Sequence, residues 1–173
     1  MRGHVILSHG SGSGPEATKV SVLAEAAEAL GLTTERPDYR DCDAQGEAAS
    51  VAPRVERLLA RMRAAPAPPI LVGSSMGAFV SGLASLRAPS RALFLMALPT
   101  RIPGVDASFD MARDVPAMLV HGFADTLCPA DAAMGLAEQV GMPVLLVADG
   151  HRLADHVAAI ENQFRLFLES VAA

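Results

Sequence analysis

The chain has 173 residues, 51% of them hydrophobic and 19% charged, with a formal net charge of −5, a pI near 5.5, six Phe, one Tyr and no Trp. That length and composition fit one domain (1–173) with an aliphatic, Ala-rich core, and they argue against disorder. No Lys/Arg run could follow a phosphate backbone and no apolar run approaches membrane-spanning length, so a cytoplasmic protein with neither nucleic-acid nor membrane partner is expected.

Val5 to Ser8 is a short apolar run that reads as a buried strand. A segment of helical period follows, entered by Pro15 at the first helical position and closed by Gly31, with Val20, Leu23, Ala24, Ala27 and Leu30 on one stripe. Thr33 to Tyr39 is a weaker extended segment whose proline suits only an edge strand. Val51, Val55, Leu58, Leu59 and Met62 mark a second helix, with its arginines from Arg54 to Arg63 expected on a solvated face. A strand at Ile70 to Gly73 runs into a helix at Met76 to Leu86, and further strands are read at Ala92 to Leu98, Ala117 to His121 and Val144 to Ala148. The helix Ala130 to Val140 is closed by Gly141. A last helix is expected to start near His151 and to bury Leu153, Val157, Ile160, Phe164 and Leu168. Strict alternation of this kind implies an α/β fold: a doubly wound, mainly parallel six-stranded sheet with helices on both faces and right-handed crossovers. In such sheets ligands bind at the carboxyl ends of the strands, where the strand order reverses.

Three strand ends carry unusual residues. Gly73-Ser74-Ser75-Met76-Gly77 lies between strand and helix, the setting of a G-x-S-x-G nucleophile elbow with Ser75 at its centre. The pattern arises by chance about 0.05 times in a chain of this size, so its context matters more than its presence. An activated serine needs a histidine to take its proton and a carboxylate to hold that histidine's tautomer, arriving here in the order Ser, acid, His. Asp125 follows the strand that ends in His121-Gly122, and His151 follows the last strand. Two backbone N–H groups must also face the developing oxyanion. Met76 supplies one; the loop His9-Gly10-Ser11-Gly12 supplies the other, assigned to Ser11 with Gly12 as second choice.

Taken together, His9-Gly10, Gly73 to Gly77, His121-Gly122-x-x-Asp125 and Gly150-His151 resemble the α/β-hydrolase superfamily over nearly the whole chain, and more narrowly its short, lidless bacterial esterase-like members. The resemblance implies strand order 2-1-3-4-5-6, carboxylester or thioester substrates and no cofactor. The opening antiparallel strands of larger members are missing. The short stretch between the Leu95 and Met118 strands leaves no room for a folded lid, which suits small or flexible acyl groups.

Plainer readings compete with each assignment. Ser75 could be a helix N-cap, Asp131 or Asp149 could replace Asp125, and His156 could replace His151. His9 and His121 are expected to be structural, with no metal pattern among the histidines. The Gly-rich first loop is spaced G-x-G-x-G rather than G-x-G-x-x-G, which sets aside dinucleotide binding. Cys42 and Cys128 are read as inert thiols. The leading expectation is a serine hydrolase acting on a small-molecule acyl substrate. An acyltransferase with the same triad and a catalytically silent binding protein are the alternatives, and self-association as a homodimer stays open.

Overall fold

The computed structural model describes residues 3–172. Six strands, β1 (His4–Ser8), β2 (Thr33–Glu35), β3 (Ile70–Ser74), β4 (Ala92–Met96), β5 (Ala117–Gly122) and β6 (Val144–Val147), form one sheet in the order β2-β1-β3-β4-β5-β6. Every pairing is parallel, so the sheet is wholly rather than mainly parallel. The helices are α1 (Thr18–Ala29), α2 (Arg40–Asp43), α3 (Glu47–Ala64), α4 (Met76–Ser85), α5 (Ala130–Val140) and α6 (Val157–Ala172).

Alternation along the strands sorts the core into two layers, because successive side chains point to opposite faces of a sheet. Ile6, Leu71, Leu93, Leu95 and Leu119 face α3, α4 and α5, meeting Val55, Leu58, Leu59, Phe79 and Ala133. Val5, Leu7, Val72, Phe94 and Val120 face α1 and α6, where Phe94 packs on Phe164 and Phe167 at ring centroid distances of 4.9 and 5.5 Å.

Several boundaries differ from expectation, each for a local reason. Helix α1 begins at Thr18 rather than Pro15, because Ala17 N–H donates to Gly14 O and residues 14–17 close a turn of their own. β2 stops at Glu35, ahead of Pro37, which has no N–H to give a ladder. α6 starts at Val157, not near His151. Residues 150–156 instead form a turn in which Leu153 takes φ 53° and its N–H reaches Gly150 O. α2 was not foreseen.

The sheet order reverses direction between β1 and β3, and their register (Ser8 beside Gly73) brings both loop entrances to one height. The connection from β4 to β5 holds one antiparallel bridge, Arg101–Ser108, and tucks Ile102, Phe109 and Met111 into the core. It contains no helix that could cover the switch point.

Candidate active site

At the end of β3 the chain turns so sharply that Ser75 takes φ 54°, ψ −119°, a backbone state side chains disfavour. Its N–H is tied to Met96 O at 2.9 Å. The two glycines of the motif let the neighbouring backbones close in. A Cβ at Gly77 would sit 2.0 Å from Ser8 O, and one at Gly73 would sit 2.4 Å from Gly77 O. The turn thus holds the Ser75 side chain out of the sheet at the crevice.

Ser75 Oγ lies 2.9 Å from His151 Nε2, and His151 Nδ1 lies 2.8 Å from Asp125 Oδ2. Asp125 is buried, and its Oδ1 accepts from the N–H groups of Leu127 (2.9 Å) and Cys128 (2.8 Å). A carboxylate fixed in this way accepts a hydrogen bond from His151 Nδ1–H, holding that tautomer and leaving Nε2 free to accept from Ser75. Gly122 makes the arrangement sterically feasible, since a Cβ there would meet Asp149 O at 2.3 Å. The Asp125 loop therefore lies directly on the His151 loop, with Ala124 N–H donating to Asp149 O.

The competing residues are committed elsewhere. Asp149 accepts from Gly150 N–H (2.7 Å), Asp155 N–H (2.9 Å) and His156 Nδ1 (3.3 Å), so it and His156 brace the turn that carries His151. Asp131 bonds the neighbouring Ala132 N–H at the start of α5. His121 Nε2 donates to Cys128 O at 2.8 Å and is 3.4 Å from Asp125 Oδ2, so it props the loop that presents Asp125.

Ser11 and Gly12 line the same cleft as Ser75, and Met76 N–H heads α4 beside it. Among the described residues neither the Ser11 nor the Met76 N–H has a protein acceptor. The feature that organises this loop was missed in the sequence. Arg54, expected on a solvated helix face, is fully buried. It donates to His9 O (2.7 Å) and Gly10 O (3.2 Å), pairs with both oxygens of Asp43 (2.7 and 2.6 Å) and stacks on Tyr39 at 4.7 Å from the ring centroid. Position 54 falls on the apolar stripe of Val51, Val55 and Leu58, and that spacing was the available signal.

His9 completes the support from the other side. Its Nε2 accepts from Tyr39 N–H at 3.0 Å, so Nδ1 carries the proton and donates to Gly10 O at 2.8 Å. Burial, more than the adjacent Arg54 charge, lowers its pKa and favours this neutral form.

Asp125, Cys128 and His151 offer ligand atoms within 4.8 Å of one another, the one candidate metal cluster among the described residues. Asp125 and His151 are already bonded to each other. Burial first, and the charges of Asp125 and Glu47 next, push the Cys128 thiol up to about 12. A thiol in that state is protonated near neutrality, so Cys128 should resist iodoacetamide at pH 8 in the folded protein and react only after denaturation, as intact mass would show.

The cleft around Ser75 has a volume of about 780 Å³ and is lined by the 9–13 loop, the start of α1, Glu47, Leu127, His151, Arg152, Ala154 and Val157. No described helix is long and apolar enough to cross a membrane.

A doubly wound parallel sheet with a serine on a strained turn at its switch point is the architecture of a hydrolase-type α/β protein. The sequence is 45% identical to a protein from Xanthomonas campestris pv. campestris described as a candidate hydrolase of the alpha/beta superfamily. The match covers 98% of this chain and 99% of that one, with a TM-score of 0.93. The chain belongs to the α/β-hydrolase superfamily. Est1E from Butyrivibrio proteoclasticus (16% identity, 98% of this chain and 88% of that one, TM-score 0.79) and esterase PE8 (20% identity, 98% and 92%, TM-score 0.71) share the fold. No protein-family model and no curated protein matches the sequence.

Proposed function

We propose that the protein is a serine hydrolase cleaving small carboxylester or thioester substrates through an acyl-enzyme on Ser75. The observation that carries this reading is the unbroken line of hydrogen bonds from Ser75 Oγ through His151 to the buried Asp125. His151 Nε2 takes the Ser75 proton as Oγ attacks the acyl carbonyl, and Asp125 stabilises the imidazolium that results. The Ser11 and Met76 N–H groups hold the oxyanion. His151 then gives its proton to the leaving alcohol or thiol, the acyl-enzyme forms, and a water activated by His151 releases the carboxylic acid. The uncovered cleft suits short or flexible acyl groups.

Labelling with a fluorophosphonate probe, read by intact mass, tests the reading. Wild type should gain one adduct and Ser75→Ala none, with short p-nitrophenyl esters turned over by the wild type alone. A folded wild type that takes no label would overturn it.

A further inference from the structure

The cleft is electrically lopsided. Lys19, the only lysine of the chain, lines it from the first turn of α1, and Arg152 lines it beside His151. The Lys19 ammonium donates to Arg152 O, which uses one of its three N–H groups and places the cation next to the His151 turn. The exposed Arg152 guanidinium has no ion pair among the described residues. Asp149 is the acid whose charge acts on Lys19, and its oxygens already hold Gly150, Asp155 and His156. Helix α1 has no acidic residue in its first turn, and the negative charge that acts on Lys19, that of Asp149, is set against two cations. Burial lowers the Lys19 pKa, with Asp149 opposing and Arg152 adding to the effect, so the ammonium is partly stripped of water and lacks a full counter-ion. Glu47, the acid lining the cleft, has its charge acting on Cys128 rather than on Lys19.

We propose that Lys19 and Arg152 form a subsite for an anionic group carried on the leaving alcohol or thiol of the substrate. The assignment to the leaving group rests on the hydrolase reading above. His151 hands its proton to the departing atom, so the leaving group lies on the His151 side of Ser75, where both cations stand. The acyl group then lies away from the two cations, in a cleft whose remaining carboxylate is that of Glu47. A carboxylate or a phosphate would satisfy the two cations equally well by chemistry.

The test compares kcat/KM for 4-acetoxybenzoate and its neutral amide, 4-acetoxybenzamide, each normalised to its hydroxide-catalysed rate. 4-Acetoxyphenyl phosphate forms the phosphate arm, and 4-nitrophenyl hydrogen adipate against 4-nitrophenyl hexanoate the acyl arm. The wild type should prefer the anionic leaving groups about tenfold, the effect of one charge-assisted contact. The preference should shrink with added salt and fall to about twofold or less in Lys19→Gln and in Arg152→Gln. The larger of the two anionic preferences identifies carboxylate or phosphate. Equal rates on acid and amide in an active wild type, a preference that survives both substitutions, or one confined to the adipate pair would overturn the proposal. Reductive methylation of Lys19, mapped by peptide mass, adds a readout that needs no turnover: 4-hydroxybenzoate or phenyl phosphate should protect it and 4-hydroxybenzamide should not. If Ser75 takes no probe and no ester is cleaved, the hydrolase reading fails, and protection of Lys19 still decides whether an anion binds there.

Discussion

Ser75→Gly should lose ester turnover by about 10⁶-fold in kcat, the usual consequence of removing a serine nucleophile, and should unfold at a higher temperature than the wild type. The second half of that expectation follows from the backbone. Ser75 stands at φ 54°, and a non-glycine residue held in such a region costs about 1–3 kcal/mol. Glycine removes the strain but loses about 0.5–1 kcal/mol to its freedom in the unfolded chain. A net gain of about 1 kcal/mol remains, equivalent to about 2–4 °C in Tm for a chain of this size. Ser75→Ala keeps the strain, so it should be as inactive as Ser75→Gly without the stability gain. Thermal unfolding of the three proteins checks this, and a glycine variant no more stable than the alanine variant would show that the elbow stores no strain.

Arg54→Met should destabilise the fold by about 3–5 kcal/mol, because it leaves the Asp43 carboxylate and the His9 carbonyl without their Arg54 partner and takes one of two donors from Gly10 O in a largely buried setting. Denaturant unfolding would measure it. Arg54→Met combined with Asp43→Leu removes both charges and should recover much of the loss, since a buried pair replaced as a unit by apolar groups is often close to neutral. Activity should not recover in parallel. Gly10 C=O and Ser11 N–H belong to one planar trans peptide and point in opposite directions. Arg54 and His9 hold that carbonyl and so turn the Ser11 N–H away from themselves. The double variant should therefore fold yet show kcat reduced by about 10²–10³, the typical cost of one oxyanion donor, with labelling at Ser75 slowed rather than abolished. Full activity in a folded double variant would mean that the loop needs no such anchor.

Much of this was legible before any coordinates. The elbow could be read because Gly73 and Gly77 leave so little choice: any side chain at Gly77 collides with Ser8 O, so residue type reports backbone contact directly. Asp125 and His151 were singled out because each follows a strand in the required order, and the structure brings them within hydrogen-bonding distance of each other. The strand order came through resemblance to a family, since hydrophobic alternation shows which face a residue takes but not which strand lies beside it. The helix starts were less legible. The turn that gives Ala17 N–H the Gly14 carbonyl satisfies an amide that the first turn of a helix beginning at Pro15 would leave unpaired, and Leu153 sits in the core while its backbone is not helical. The Arg54–Asp43 pair was hidden for a different reason. Arginine is so seldom fully buried that its place on an apolar stripe reads as an exception until the short helix α2 is seen to bring Asp43 against it.

The connection between β4 and β5, folded down onto the core with no helix in it, also shapes the kinetics. An enzyme whose cleft must be uncovered before each encounter spends part of its cycle on that motion, and its turnover number mixes opening with bond-breaking. Here the Ser75 hydroxyl faces solvent across a permanent opening. On the proposed mechanism, substrate capture then needs no gating step, and water would reach an acyl-enzyme on Ser75 as readily as any rival acceptor. That access would tilt the partition of such an intermediate towards hydrolysis and away from transfer.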